Sequence, residues 1–214
     1  IAIIHKGIPI VNNKFQIFSK NFFAPSPTFA KARKYAIISI FYKKAEVLIM
    51  WAYNETFYQI YPIGFCGAPT HNDGICVPRI LKLKDWSSYL ENLQIGSVLL
   101  NPIFESDNHG YDTRDFKKVD CRLGTNEDFQ DVCDDLHKHH IKIVLDGVFN
   151  HVGRGFWAFQ DVQEKKWDSP YKDWFYINFD GDSCYQDGFW YEGWEGHFEL
   201  VKLNLQNPAV TDTY

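Results

Sequence analysis

Residues 141–151 read Ile141-Lys142-Ile143-Val144-Leu145-Asp146-Gly147-Val148-Phe149-Asn150-His151. A continuous apolar run from Ile141 to Val148 predicts a strand buried on both faces, the kind found in parallel sheets covered by helices. Asp146 falls within that run, where an unpaired carboxylate would be costly to bury. Partners for it are therefore expected nearby. Asn150 and His151 follow directly and could serve it, or could simply bond loop backbone.

Upstream, the same alternation of strand and helix repeats. Thr125 or Asn126 opens a helix carrying Phe129, Val132, Cys133 and Leu136 at i, i+3, i+4, i+7 spacing. Ser97 to Ile103 is a second apolar strand. Before it, Asp85 is the expected N-cap of a helix from Trp86 to about Gln94, ended by Gly96. Phe57 to Ile63 is a third apolar, aromatic run, with Pro62 near its end. Strands alternating with helices predict a parallel α/β sheet, in which sites gather at the C-terminal strand ends. Polar residues do gather there. Asn72 and Asp73 lie in the loop after the first strand, His109, Tyr111 and Asp112 after the second, and the third ends in Asp146, with Asn150 and His151 following.

Composition bounds the function. The formal net charge of -5 over 214 residues argues against a nucleic-acid role. No run reaches the roughly 18 apolar residues that span a bilayer. Aromatics make up 17% of the chain, which fills a core and also suits carbohydrate, whose C–H faces stack on rings. The five cysteines (Cys66, Cys76, Cys121, Cys133 and Cys184) are odd in number and form no C-x-x-C pair, so buried free thiols in a reducing compartment are expected. His137, His139 and His140 beside Asp134 and Asp135 suggest a metal cluster, but at a helix C-terminus histidines suit the dipole and solvent.

The first 49 residues differ from the rest. They hold eight basic residues against one acid, whereas the remainder holds 14 basic and 26 acidic residues. All seven tryptophans lie at or after Trp51, and the only methionine, Met50, stands at the junction. This segment reads as a basic arm, a small accessory domain or translated upstream sequence. The onset of the βα pattern just after Met50 favours the last.

Asp146-Gly147-Val148-Phe149-Asn150-His151 resembles the first signature motif of the α-amylase family of glycoside hydrolases. Asn108-His109-Gly110-Tyr111-Asp112-Thr113 resembles that family's segment after the second barrel strand, and Phe57 to Pro62 its first strand. Leu200-Val201-Lys202-Leu203-Asn204, after Tyr191-Glu192-Gly193-Trp194, is similar to a segment near the cyclomaltodextrinase, neopullulanase and oligo-1,6-glucosidase branch. The matches occur in family order over residues 51–210.

The resemblance implies the N-terminal part of a (β/α)8 TIM barrel. A complete barrel takes about 250 residues. The expected division is an N-terminal extension over 1–49, three βα units over 50–151, and a domain B-like excursion over 152–214 that ends before the fourth strand. Seven aromatics in this excursion, Trp157, Trp167, Trp174, Tyr176, Trp190, Tyr191 and Trp194, are expected to supply its core and a sugar-facing wall.

The implied activity is retaining hydrolysis of α-glucosidic bonds in maltodextrins, cyclodextrins or related α-glucans, by a cytoplasmic protein. An α-glucan transglycosylase, or a non-catalytic carbohydrate-binding scaffold on the same barrel, are the alternatives. Tyr111 would stack on the cleaved sugar, His151 would bond its primary hydroxyl, and Asp146 would hold the network beneath it, with His109 and Asp112 shaping the loop or touching substrate. Asn150, with Asn72 and Asp73, is the place for a structural calcium. No other cofactor is implied. The resemblance places the nucleophile, the acid and a further Asp after later strands, so no catalytic carboxylate is expected among residues 1–214.

Overall fold

The computed structural model describes residues 2–4 and 51–213. Strand β1 (Ala2–Ile4) is followed by the first parallel strand, β2 (Phe57–Ile60). Pro62 opens a short helix, α1 (Pro62–Phe65). Proline at a first helical turn lacks only an N–H that would have been unpaired anyway. This is why the apolar run expected to continue to Ile63 leaves the sheet early.

A 3-10 stretch, Arg79–Trp86, then runs into α2 (Ser87–Asn92). The expected cap at Asp85 is not made. Trp86 stands at the N-cap with no side-chain hydrogen bond, because the chain enters α2 already coiled, with Ile80 and Leu83 buried at three-residue spacing. Next come β3 (Ser97–Leu100), the antiparallel pair β4 (Phe104–Ser106) and β5 (Thr113–Val119), and α3 (Asn126–Lys138). Helix α3 begins as expected. Thr125 accepts from the Asp128 N–H at 3.1 Å, and Asp128 accepts from the Thr125 N–H at 2.8 Å, a reciprocal capping box. Its buried face is Phe129, Val132, Cys133 and Leu136.

Strand β6 (Lys142–Leu145) closes the barrel portion. The three parallel strands lie in the order β2-β3-β6, with Phe57 opposite Ser97 and Ser97 opposite Lys142. Strand ends are therefore level, at Ile60, Leu100 and Leu145. On the outer edge of β6, β1 pairs antiparallel, Ala2 opposite Leu145. Residues 5–50, and with them the expected division at Met50, lie outside the described residues.

After β6 the chain builds a separate small unit. Strand β7 (His151–Gly153) leads to α4 (Trp157–Lys165), then β8 (Ile177–Asn178), β9 (Trp190–Tyr191), β10 (Gly193–Trp194), β11 (His197–Lys202) and α5 (Pro208–Thr211). Strand β11 lies between β10 and β7, antiparallel to both. Phenylalanines dominate its core. Phe156, Phe159, Phe189 and Tyr191 are fully buried and meet edge-on or tilted, as in the Phe159–Tyr191 contact at 4.8 Å. Trp174 is buried with them, whereas Trp157, Trp167, Trp190 and Trp194 are exposed, so most tryptophans of this unit are not core.

Cys66, Cys121 and Cys133 are buried free thiols as expected, but Cys76 and Cys184 are exposed, in loops without a neighbouring strand to cover them. Burial pushes Cys133 up to about 12 and Cys66 up to about 11. Both are thus unreactive near neutral pH. His139 bonds Glu91 at 2.7 Å, which ties the end of α3 to α2.

The deepest polar feature is an ion pair. Arg122 and Asp120 are both 0% exposed and bond each other through two guanidinium nitrogens, at 2.8 and 2.7 Å. Arg122 also donates to Ser106 Oγ (2.9 Å) and to the carbonyls of Pro69 (2.9 Å), Thr70 (2.8 Å) and Asn108 (2.7 Å). Burial alone disfavours the cation, but Asp120 outweighs it and holds the Arg122 pKa above its ordinary value. Replacing Arg122 by Leu should destabilise the fold by about 3–5 kcal/mol, because Asp120 is left buried and unpaired. Urea unfolding of the two proteins measures this; a loss below about 1 kcal/mol would contradict the staple assigned to Arg122.

Candidate active site

Because the three parallel strands end level, their next residues stand side by side at the C-terminal rim. These are Tyr61, Asn101 and Asp146, joined by the Asn101 N–H to the Ile60 carbonyl and the Asp146 N–H to the Leu100 carbonyl, both 2.9 Å. Asp146 thus lies just past β6, partly buried at the rim and not inside the strand.

The loop between β4 and β5 folds back over this rim. Its turn needs Gly110, whose φ is +91° and whose missing Cβ would come within 3.1 Å of the Pro102 carbonyl. Tyr111 then reaches down. Its hydroxyl accepts from Asn101 Nδ2 at 2.6 Å and donates to Asp146 Oδ2 at 3.2 Å. Gln59 Nε2 donates to Asn101 Oδ1 at 2.9 Å, and the Tyr61 hydroxyl donates to the His109 carbonyl at 3.1 Å. Burial raises the Tyr111 pKa and the Asp146 charge adds to it, despite the opposing bond from Asn101. The phenol therefore remains a donor to the carboxylate.

Asp112 is 3% exposed. Its Oδ2 accepts from Asn108 Nδ2 at 2.9 Å, while Oδ1 has no hydrogen-bond partner and lies 3.7 Å from His109 Nδ1. His109 Nδ1 in turn accepts from the Tyr111 N–H at 3.2 Å. His151 is 6% exposed, its Nδ1 lies 3.4 Å from Asn150 Nδ2, and its Nε2 is buried without a hydrogen-bond partner. The close approach of β7 to this loop depends on Gly153, where a Cβ would sit 2.4 Å from the Asp112 carbonyl oxygen.

The wall beside His151 comes from the second unit. Strand pairing sets His151 opposite Lys202 and Trp194 opposite His197, through a tight turn with positive φ at Glu195 (+51°) and Gly196 (+86°). The Trp194 ring lies 5.4 Å from the His151 ring at 35°. Hence Tyr111 and Asp146 are bonded directly, His109 and Asp112 shape the same loop, and His151 sits against that loop and Trp194.

Sequence reasoning missed Asn101 and Tyr61, which hold the loop in place, and assigned Trp194 only generally to a wall. The signal for the first two was available: each is the first residue after a parallel strand.

Two of the three residues expected at a calcium site, Asn72 and Asp73, are committed to their own loop. Asn72 gives its amide N–H groups to Glu105 Oε1 (2.9 Å) and the Ser106 carbonyl (2.8 Å), and its oxygen accepts from the Gly74 N–H (2.9 Å) and Cys121 Sγ (3.2 Å). Asp73 Oδ1 accepts from the Ile75 N–H at 3.0 Å. Both residues are spent on shaping their loop, and calcium calls for about six to eight oxygen ligands.

Burial lowers the His151 pKa, against the raising influence of the Tyr111 backbone and Asp112. The ring is neutral at pH 7. Its contribution to stability is complete above the unfolded value of about 6.5 and is lost as pH falls through the lower folded value. An NMR titration of the His151 ring should give a midpoint below about 6.5, and Trp194→Ala, which uncovers the ring, should move it upward. A midpoint at or above 6.5 in the unmodified protein would contradict the buried, neutral assignment.

Residues 59–213 match the sequence profile described as alpha amylase, catalytic domain. The chain is 38% identical over 143 residues to a maltogenic alpha-amylase of Bacillus acidopullulyticus, covering 59% of this chain and 24% of that protein. It is 32% identical over 184 residues to a cyclomaltodextrinase of a Bacillus species, covering 76% of this chain and 32% of that protein. The ligand-free structure of cyclic α-maltosyl-(1→6)-maltose hydrolase from Arthrobacter globiformis is similar, with a TM-score of 0.63 at 31% identity over 75% of this chain and 40% of that one. The chain thus spans about a quarter to a third of the length of these curated relatives. With the three level parallel strands, these matches establish that the chain carries part of a TIM barrel and belongs to the α-amylase family.

Proposed function

We propose that this chain forms the substrate-holding part of an α-glucan hydrolase, with Tyr111, Asp146 and His151 lining the pocket for the sugar whose bond is cleaved. The observation that carries this reading is the pair of buried polar atoms without a hydrogen bond, His151 Nε2 and Asp112 Oδ1, beside one loop at the C-terminal end of the parallel strands. Buried polar atoms left without partners are costly, and a bound hydroxyl relieves that cost. A neutral His151 offers either a donor or an acceptor to a sugar hydroxyl. The partly buried phenol of Tyr111 offers a ring face for stacking while its hydroxyl is fixed by Asn101 and Asp146.

The reaction that fits is retaining hydrolysis, in which one carboxylate attacks the anomeric carbon and a second carboxylic acid protonates the leaving oxygen. Glu105, Asp107 and Asp112 do not suit those roles. Glu105 accepts from the Cys121 N–H (2.9 Å) and Asn72, Asp107 pairs with Arg114, and Asp112 is bonded by Asn108. We place the nucleophile and acid outside residues 1–214, consistent with the longer relatives. Residues here bind and orient the substrate, which lowers the entropic part of the barrier. The ligand is an α-glucan oligosaccharide and the setting cytoplasmic. Among the described residues no helix is long and apolar enough to cross a membrane.

In the intact protein, His151→Ala should lower kcat/KM for a maltodextrin by the equivalent of about 1–3 kcal/mol, the cost of a lost positioning hydrogen bond. Unchanged steady-state kinetics would remove His151 from the pocket. The 214-residue chain by itself should release no reducing sugar from maltodextrin or cyclodextrin. Turnover that copurifies with it and vanishes in Asp146→Ala would show that the catalytic carboxylates lie within it.

A further inference from the structure

The second unit carries a depression of about 190 Å³ lined by Trp167, Phe179, Ile177, Lys172, Asp173 and Asp180. Trp167 is 64% exposed and stacks on Phe179 with ring centroids 4.2 Å apart at 30°. An indole this exposed contributes little to the core, and the core of this unit is complete without it. Its position is nonetheless enforced. Lys166, the residue before it, has φ +53° and ψ -121°, a conformation that side chains rarely adopt. The Lys166 ammonium lies 4.6 Å from the centre of the Phe189 ring and bonds the Asp187 carbonyl at 2.5 Å, which holds this strained turn and turns Trp167 outward. Backbone strain of this kind is retained where the surrounding structure imposes it, often at ligand sites.

The polar rim is uncommitted. Among the described residues, the Lys172 ammonium and the Asp173 and Asp180 carboxylates have no hydrogen-bond or ion-pair partner. The Asp173 carbonyl, by contrast, accepts from Asn204 Nδ2 (3.1 Å) and Asn207 Nδ2 (3.0 Å), which anchors that edge of the depression to the chain after β11. A flat aromatic pair thus faces a ring of free donors and acceptors of mixed sign. That combination suits a neutral, hydroxyl-rich ligand with an apolar face. The volume falls below the roughly 300–1,000 Å³ of pockets that enclose drug-sized ligands, so one ring fits and the remainder extends into solvent. The depression is separate from the site at the strand ends, where Tyr111 and His151 contact Asn101, Asp146, His109 and Trp194 instead.

We propose that this depression is a second carbohydrate-binding site, in which Trp167 stacks on one glucosyl unit of an α-glucan and Lys172, Asp173 and Asp180 bond its hydroxyls. It tethers a glucan chain to the second unit without taking part in bond cleavage. The choice of an α-glucan rests on the functional reading above, and the test separates the two. The intact protein is titrated with maltotriose whose glycosidic oxygens are replaced by sulfur, so that it is not hydrolysed, and binding is followed by calorimetry.

Two independent binding events are expected. Trp167→Ala, at an exposed position, should weaken one at least tenfold, and Tyr111→Ala should weaken the other. Asp180→Asn together with Lys172→Ala should weaken the first event while leaving the aromatic pair in place. A single event insensitive to Trp167→Ala overturns the second site, as does loss of both events in that variant. If Tyr111→Ala changes nothing while the Trp167-dependent event remains, the strand-end reading fails and the second site stands.

Discussion

Arg122 carries a buried charge that water cannot reach, and its partners are spread over three segments: Asp120 after β5, Ser106 at the end of β4 with Asn108 beyond it, and Pro69 and Thr70 after α1. A buried cation of this kind tolerates no vacant hydrogen-bonding position. Its partners must come to it, and in doing so they fix where the loops lie over the strand ends. Asn108 belongs to the loop that bears His109, Tyr111 and Asp112, so that loop is anchored by an ion pair that hydrogen-bonds none of those three side chains. Asn72 extends the network through Glu105, and Cys121 closes it.

Two further constraints work on that frame. Level strand ends place Asn101 and Asp146 side by side, at the separation one phenol can bridge. Two glycines then permit the approaches that side chains would block, Gly110 in the turn over Pro102 and Gly153 in β7 against the Asp112 carbonyl. The result is a rigid rim with polar groups supplied from successive strands. On the reading proposed above these residues hold a substrate, and binding energy aids a reaction only when it fixes a productive geometry. Trp194 shows how the second unit contributes. It reaches His151 because β10 and β11 lie in one antiparallel sheet with β7, the strand that His151 begins.

Much of this was legible in residues 51–213, because the signals were local. The continuous apolar runs gave three parallel strands, and Thr125, one of two candidate openers with Asn126, gave the start of α3. The polar residues at the strand ends, read with the family resemblance, singled out Tyr111, Asp146 and His151, whose shared pocket is the proposal above. What escaped was set by tertiary contact. Asp146 looked like a residue within the strand, because periodicity cannot show where a partner strand stops. Asp85 looked like a cap, because a preceding 3-10 stretch is not distinguishable from a loop by composition. Seven aromatics of the second unit were expected to give its core and a sugar-facing wall; Trp174 and Tyr191 are buried, but Phe156, Phe159 and Phe189, which carried no such expectation, fill the core with them. Arg122 gave no signal at all. A single arginine between two loops reads as solvent-exposed until the fold surrounds it.

The central claim is that the loop over the strand ends, and His151 beside it, hold one sugar ring. A crystal structure of the intact protein with sulfur-linked maltotriose tests it directly. The account predicts a glucosyl ring stacked on Tyr111, with one of its hydroxyls within hydrogen-bond distance of His151 Nε2. Electron density for the ligand that leaves Tyr111 and His151 untouched, with Nε2 still unpartnered, would contradict it.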